Sequence, residues 1–231
     1  NTVSGCLVQD NTGTGIYATS NTLLSWNVSR DNTGNGLSAE NSVTVRNNLS
    51  VNNGLSGLSM YARYGSTITA INNTFSGNGS HGVWYDHYGS GSCNFRNNIV
   101  HTDVAGKACF YTAQPLSGTV DYNTYHAANG ASVGYAGGVF RATLGEWRTA
   151  SGKDGSSLAA DPLFVDAANG NYHLQSTAGS WHGGAWTADA LDSPCLDMGD
   201  PADAAGEEPL PNGGRINQGY DGGTVQASKS S

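Results

Sequence analysis

The segment DNTGTG at residues 10–15 returns as DNTGNG at residues 31–36, one repeat further along the chain. The repeat carries an asparagine ladder, a single slot that recurs at intervals of 21 and then 25 residues and holds Asn27, Asn48, Asn73, Asn98 and Asn123. Cys6 occupies the same slot one step earlier. A period of this length is typical of solenoids, in which each coil buries its apolar face only against its neighbours. The sequence therefore predicts stacked coils over residues 1–126.

Alignment of the coils on the asparagine ladder separates inward from outward positions. Two mostly apolar columns lie two residues apart, as expected for the buried face of a strand. The first column holds Ile16, Leu37, Leu58, Val83 and Ala108, and the second holds Ala18, Ala39, Met60, Tyr85 and Phe110. A further strand has Val45, Ala70, Phe95 and Val120 in its core column. We interpret the ladder asparagines as structural, because stacked side-chain amides can hydrogen-bond to each other and to the nearby backbone.

Composition and charge exclude several classes of partner. Only 12% of the residues are charged and 33 are glycine, which suits short strands joined by many turns. The net charge of −8 is uneven, because the chain is close to neutral as far as Lys153 and acidic from Asp154 onward. A nucleic-acid partner would require a basic stripe, which the sequence lacks. No apolar run approaches the roughly 20 residues of a membrane span, so no membrane partner is expected.

The repeats over residues 1–126 resemble the right-handed parallel β-helix family, the architecture of pectate lyases and of many secreted bacterial polysaccharide-active proteins. Four C-terminal segments resemble the closing coils of such proteins: DPLF (161–164), GNYHL (170–174), SPCLDMGDP (193–201) and PNGGRINQG (211–219). The resemblance implies an all-β domain over residues 1–226, a right-handed parallel β-helix with coils of 21–25 residues. The regular coils would occupy 1–126 and irregular closing coils 127–226. The composition of the tail at 227–231 predicts a linker.

Large aromatic and charged side chains occupy the outward columns next to the first strand. One outward column holds Tyr17, Ser38, Ser59, Trp84 and Cys109, and the next holds Thr19, Glu40, Tyr61, Asp86 and Tyr111. Aromatic rings on a solvent face are unusual, and they can pack on the C–H faces of sugars while charged groups bond to the hydroxyls. The predicted ligand-binding residues are therefore Glu40, Tyr61, Arg63, Tyr64, Trp84, Asp86, His87, Tyr88 and Tyr111. Alternatively, a loop or a neighbouring domain covers these rings.

An enzymatic function is the principal alternative. Pectate-lyase-like sites combine a calcium-binding carboxylate cluster with an Arg or Lys base, and no acid cluster aligns beside Lys107. Glu40 and Asp86 lie two coils apart, about 9.6 Å between backbones, and fit an inverting glycosidase pair only loosely. His81 and His87, next to Asp86, suggest acid–base work, but such polar loop residues are usually unrelated to catalysis. No catalytic residue is therefore assigned.

The predicted function is a non-catalytic carbohydrate-binding module for a plant cell-wall polysaccharide. The chain is similar to β-helix modules attached to xylanases, which implies xylan as the first ligand and pectin as the second. The near-neutral repeat region also suits a neutral glycan. We expect a secreted, extracellular, monomeric domain that is covalently linked to a catalytic domain in a longer bacterial protein. A structural or adhesive spacer is the third possibility.

The acidic C-terminal segment offers weak calcium ligands at Asp197, Asp200, Asp203 and Glu207, because calcium takes six to eight oxygen ligands. Turns capped by Asp side chains and an ion pair with Arg215 explain the same residues equally well. No other cofactor is expected. The four cysteines, Cys6, Cys93, Cys109 and Cys195, show no zinc-site spacing, and three disulfide pairings remain open.

Overall fold

The computed structural model describes residues 1–230 and consists almost entirely of short strands. Successive coils contribute three strands each. In chain order these are β1 (Thr2–Ser4), β2 (Leu7–Gln9), β3 (Ile16–Thr19), β4 (Thr22–Ser25), β5 (Val28–Arg30), β6 (Leu37–Glu40), β7 (Val43–Arg46), β8 (Leu49–Val51), β9 (Leu58–Arg63), β10 (Thr67–Ile71), β11 (Thr74–Ser76), β12 (Val83–Tyr88), β13 (Ser92–Arg96), β14 (Ile99–Thr102), β15 (Ala108–Thr112), β16 (Gly118–Asp121), β17 (Thr124–Ala127) and β18 (Ser132–Ala136).

Every third strand joins the same sheet, and all neighbours in the coil region pair in parallel. The first sheet has the order β1-β4-β7-β10-β13-β16, the second begins β2-β5-β8-β11-β14-β17, and the third contains β3-β6-β9-β12-β15-β18. This arrangement confirms the predicted parallel β-helix. Among residues 1–230, no helix has the length and apolar character that crossing a membrane requires.

The strand register confirms most of the predicted core columns and corrects one coil. Leu58 pairs with Leu37 and with Val83, and all three side chains are buried. Phe110, not Ala108, lies opposite Val83. The reason is the turn before β15: Thr74 to Val83 spans nine residues, whereas the equivalent stretch from Ile99 to Phe110 spans eleven. The prediction that Cys109 faces outward is therefore wrong, since its side chain is buried.

The asparagine ladder has the predicted structural role. Asn73 is fully buried, and its backbone N–H and its Nδ2 both donate to Oδ1 of Asn98, each at 2.9 Å. Nδ2 also donates to the carbonyl of Val45 at 2.9 Å. The Cys6 N–H donates to Oδ1 of Asn27, so Cys6 does occupy the first slot. A second ladder, not predicted, repeats the same bonds through Asn11, Asn32, Asn53 and Asn78.

The irregular region begins with β19 (Val139–Arg141), which turns back antiparallel to β18, and with helix α1 (Leu144–Ser151). Thr143 and Glu146 form a capping box at the start of the helix. Trp147 is fully buried and packs over Gly134, where any side chain would collide with the indole ring. Its Nε1–H donates to Oδ2 of Asp154 at 2.7 Å. The helix thereby closes one end of the apolar core.

The remaining chain runs back along the side of the coils. It contains β20 (Leu158–Ala159), which joins the second sheet, the antiparallel pairs β21 (Phe164–Asp166) with β22 (Asn171–Leu174) and β23 (Ser180–Trp181) with β24 (Trp186–Thr187), and a 3-10 turn at Ala167–Asn169. The residues that immediately precede two ladder asparagines hold this C-terminal region against the coils. Asn47 Nδ2 donates to the carbonyls of Tyr220 and Gly222, and Asn72 Nδ2 donates to that of Asn217.

The tail at 227–230 packs against the rest of the protein and does not form the predicted linker. Ala227 and Ser228 are buried, and the Ser228 carbonyl accepts a bond of 2.7 Å from Asn217 Nδ2. Ser231 lies outside the described residues. The four cysteines are unpaired thiols; Cys93, Cys109 and Cys195 are buried and Cys6 is exposed.

Candidate functional site

The outer face of the third sheet carries the residues that the sequence singles out. We call its first outward column the outer column. In register along the coils it contains Tyr17, Ser38, Ser59, Trp84, Tyr111 and Tyr135. Because β15 is shifted, Tyr111 lies next to Trp84 instead of next to Asp86. The sequence alignment therefore placed Tyr111 in the wrong outward column and did not extend the column to Tyr135.

Tyr111 stands between two other rings. The ring of Tyr135 stacks on it at 4.4 Å between centroids with an interplanar angle of 12°, and His81 lies 4.4 Å away on the side of β12. Phe140 contacts Tyr135 edge-on at 4.8 Å. The ring faces of Tyr111 are thus covered by neighbours. Tyr111 lies next to Trp84 in the outer column and lines the same cleft.

Trp84 lines a cleft because the next two residues of the outer column, Ser59 and Ser38, have small side chains. The cleft has a volume of about 460 Å³ and is lined by Asn35, Leu55, Ser56, Ser59, Ser80, His81, Trp84 and Tyr111. Trp84 is half-buried, and among the described residues it takes part in no aromatic pair. The indole is consequently available to a ligand that enters above Ser59.

His81 supplies a hydrogen-bond donor to this cleft, and the tautomer of its imidazole is fixed by a backbone contact. The Ala108 backbone N–H donates to His81 Nδ1 at 3.0 Å, so Nδ1 is the acceptor and Nε2 carries the hydrogen. Burial, followed by the charge of Lys107, lowers the pKa of His81 to about 4. The imidazole is therefore neutral at physiological pH. From the sequence His81 is predicted only as a weak acid–base candidate, and its role as a neutral donor was not predicted.

The second outward column contains Glu40, Tyr61 and Asp86 on three adjacent strands. Glu40, on the strand next to that of Tyr17, raises the pKa of Tyr17 through a side-chain hydrogen bond. The Arg63 guanidinium lies 4.3 Å from the centre of the Tyr61 ring and covers one of its faces. Tyr61 stands between Glu40 and Asp86, and the space between the two carboxylates is therefore already occupied.

The other predicted ligand residues lie at the far end of the strands. Tyr64 and Tyr88 pack edge-to-face at 5.2 Å and are strongly exposed. His87 is different, because it pairs with buried Ala62 and therefore lies at an inward-facing position of its strand. Its Nε2 lies 2.9 Å from the Pro115 carbonyl. The outer face therefore gathers every predicted ligand-binding residue except His87.

Comparison with known proteins places the chain in a family. Residues 71–199, more than half of the chain, match the family model described as Disaggregatase related. The chain belongs to the disaggregatase-related family. No curated protein and no solved structure matches it. The β-helix part of the resemblance inferred from the sequence is confirmed, whereas the family description names neither a pectate lyase nor a xylanase module.

A second cleft of this disaggregatase-related chain lies beside the second sheet and has a volume of about 510 Å³. His101 and His126 stack in it at 4.7 Å, with Ser76 Oγ at 3.0 Å from His101 Nδ1 and Asp161 Oδ1 at 3.9 Å from His126 Nδ1. Burial, followed by the neighbouring His126, lowers the pKa of His101. This cluster was not predicted from the sequence, although both histidines follow a ladder asparagine by three residues.

The acidic segment of the disaggregatase-related chain is held by a different arginine from the one predicted. Arg96, not Arg215, forms the ion pair: its Nε and Nη2 donate to the two carboxylate oxygens of Asp203 at 2.7 and 3.0 Å. These bonds lower the pKa of Asp203. Arg215 donates to the carbonyls of Gly199 and Met198.

The acidic segment also contains the predicted calcium ligands. Within residues 1–230, no group of three or more His, Cys, Asp or Glu side chains is arranged to hold a metal ion. A structural calcium ion bound by Asp197, Asp200, Asp203 or Glu207 stays a prediction, and a melting temperature lowered by a chelator would support it.

Proposed function

We propose that this chain is a non-catalytic carbohydrate-binding module that takes a polysaccharide in the cleft beside Trp84. Plant cell-wall xylan is the first candidate ligand and pectin the second. The observation that carries the proposal is the position of Trp84, which stands beside the small side chain of Ser59 in an open cleft with the neutral donor His81. Concave sites with an aromatic wall and a few fixed polar groups are typical of ligand pockets.

The polar groups of the cleft suit hydroxyls better than charged substituents. Asn35 already accepts the Ser56 N–H through Oδ1 at 3.0 Å, which fixes the orientation of its amide. His81 offers an uncharged N–H, and no Lys or Arg is among the residues that line the cleft. A neutral sugar chain matches this set of donors and acceptors. The expected secretion and the attachment to a catalytic domain belong to the same proposal.

Catalysis at this face is the weaker alternative. Glu40 and Asp86 are separated by the strand that carries Tyr61, and the Arg63–Tyr61 pair fills the gap in which a glycosidase would hold the sugar and its water. A glycan-cleaving activity would also have to place an acid within hydrogen-bond reach of the bond that breaks. Neither carboxylate lines the cleft beside Trp84.

Replacement of Trp84 tests the proposal. We expect Trp84→Ala to weaken binding by about 2 kcal/mol, roughly 30-fold in Kd, because the aromatic wall of the cleft is lost. The melting temperature should stay nearly unchanged, since the indole is only half-buried. The measurement is gel retardation in xylan, mixed-linkage glucan, pectin and polygalacturonate, followed by titration with the best ligand.

The matched control is Trp26→Ala, which removes an exposed indole from a turn outside the outer column and should leave retardation unchanged. A large loss of stability in Trp84→Ala would assign Trp84 to packing. The same incubations are assayed for reducing ends and unsaturated products. Product release would contradict a non-catalytic module, and the absence of both retardation and products would favour a structural spacer.

A further inference from the structure

The outer column contains a gap between two aromatic residues. Ser38 and Ser59 lie in register between Tyr17 on one side and Trp84 on the other. Tyr17 and Trp84 are thus three strand-to-strand steps apart, about 14 Å between backbones at the usual spacing. Beyond Trp84 the column is filled by the stacked rings of Tyr111 and Tyr135. Only at the two serines does the column leave space above the sheet.

Side chains border this gap on both sides. Toward the start of the strands, Asn35, Leu55 and Ser80 rise from the turns and line the cleft. Toward the ends of the strands stand Glu40 and Tyr61, the latter held by Arg63. The result is a slot, bounded by Tyr17, Trp84 and these flanking residues and floored by Ser38 and Ser59, whose long axis follows the solenoid.

We infer that this slot takes two consecutive sugar units of a glycan that runs parallel to the solenoid axis. A pyranose ring is about as long as one strand-to-strand step, so the space left between the two aromatic residues accommodates two such rings end to end. Trp84 bounds one unit and Tyr17 bounds the other. The inference rests on the proposed function and adds the direction of the chain and the number of units bound.

The slot also explains why the exposed rings do not form a continuous platform. A flat platform would need aromatic faces directed at the ligand along the whole column. Here the rings of Tyr111 and Tyr135 cover each other, and the face of Tyr61 is covered by Arg63. The recognition surface is therefore confined to the two coils with a serine in the outer column.

Filling the slot tests the inference. A tyrosine at position 59 would continue the column in the manner of Tyr111 and Tyr135, so Ser59→Tyr is compatible with the fold. We expect it to weaken glycan binding at least about tenfold while the melting temperature stays the same. Thr44→Tyr adds the same ring to an outward position of the first sheet and should have no effect.

The length of the ligand provides the second measurement. Titration with xylo-oligosaccharides of increasing length should show affinity that rises up to the disaccharide and then levels off. Tyr17→Ala opens one end of the slot and should extend the rise to longer oligosaccharides. An affinity that climbs through longer ligands in the unchanged protein would overturn the two-unit slot.

The outcomes separate the inference from the proposed function. Absence of binding to every glycan by the unchanged protein would overturn both. Binding by the unchanged protein that is equal or tighter in Ser59→Tyr would overturn the slot alone and leave glycan binding in place. If Ser59→Tyr does not fold, the length series with the unchanged protein and with Tyr17→Ala decides the question.

Discussion

Glu208 shows how one buried carboxyl couples this fold to pH. It is 5% exposed, and its Oε1 accepts the backbone N–H groups of Asn217 and Gly223, each at 2.8 Å. Burial outweighs these two bonds and raises the pKa of Glu208 to about 7. The folded protein therefore keeps a proton on this group at pH values where the unfolded chain, with a pKa of 4.5, has lost it.

This difference predicts a loss of stability with rising pH. The contribution of Glu208 is fully present below pH 4.5 and is lost as the pH rises through the folded value of about 7. Glu208→Gln keeps an acceptor for both backbone groups and cannot ionise. Urea denaturation at a series of pH values should therefore show a shallower decline in the free energy of unfolding for the variant. Parallel curves for the two proteins would contradict the prediction.

At the scale of single residues, the sequence allows some site residues to be predicted and not others. The position of Trp84 in the outer column was predicted correctly, because the alignment of the repeat gives the true register of its strand. Tyr111 was placed in the wrong outward column, because a turn two residues longer shifts β15 and the ladder gives no sign of it. His81 escaped notice because its role depends on the Ala108 N–H of the next coil, a contact that no local pattern contains.

At the scale of the structural element, the ladder turns at Asn48 and Asn73 each perform two functions. The second residue of the pairs Asn47-Asn48 and Asn72-Asn73 bonds to the next coil, while the first adopts a positive φ and bonds to the C-terminal region. Left-handed backbone conformation is tolerated by asparagine better than by most residues. The repeat predicted the first function, but the second depends on residues far away in sequence.

The ladder predicts opposite effects at its middle and at its start. Asn73→Ala deprives Asn48 N–H and Nδ2 of their acceptor in a fully buried position, so we expect a loss of about 3 kcal/mol in the free energy of unfolding. Cys6→Asn supplies the missing first amide, and we expect a gain of up to about 1 kcal/mol. Denaturation with urea measures both changes.

The controls for this pair are built into the ladder. Cys6→Ala removes the thiol without adding an amide and should leave stability close to that of the unchanged protein. Equal effects of Cys6→Asn and Cys6→Ala would show that the first coil gains nothing from a ladder amide. A mild effect of Asn73→Ala would mean that the buried bonds are easily replaced.

At the scale of the whole molecule, the coil stack was predictable and the docking of the C-terminal region was not. The stack of coils is predicted by the regular spacing of the ladder asparagines and of the apolar columns. The docking follows from pairs such as Arg96 with Asp203, which are 107 residues apart, and the acidic segment has no period of its own. The final residues are rich in serine and resemble a linker in sequence. Ala227 and Ser228 are nevertheless buried, because their contacts are also with residues far away in the chain.

Removal of residues 227–231 tests the docking. The deletion eliminates the bonds of Ser228 to Asn217 and to the Leu174 carbonyl, and that of the Lys229 N–H to Gly179. The bonds of the Ser176 hydroxyl to the Lys229 carbonyl and of the Ser230 N–H to the Pro211 carbonyl are lost as well. At about 1 kcal/mol for each bond, we expect a loss of at least about 3 kcal/mol and a melting temperature lower by at least roughly 6 °C. An unchanged melting temperature would restore the linker interpretation.

The ladder also makes the coil an exchangeable unit. Each coil offers its neighbour the same amide bonds, and the hydrogen bonds by which the C-terminal region grips the stack begin at Asn47. Duplication of residues 26–46 would thus add one more serine to the floor of the slot while leaving that grip in place. The number of sugar units that the slot accommodates would then depend on the number of coils with a serine in the outer column. Duplication of one segment of the gene, by evolution or by design, would therefore lengthen the binding site.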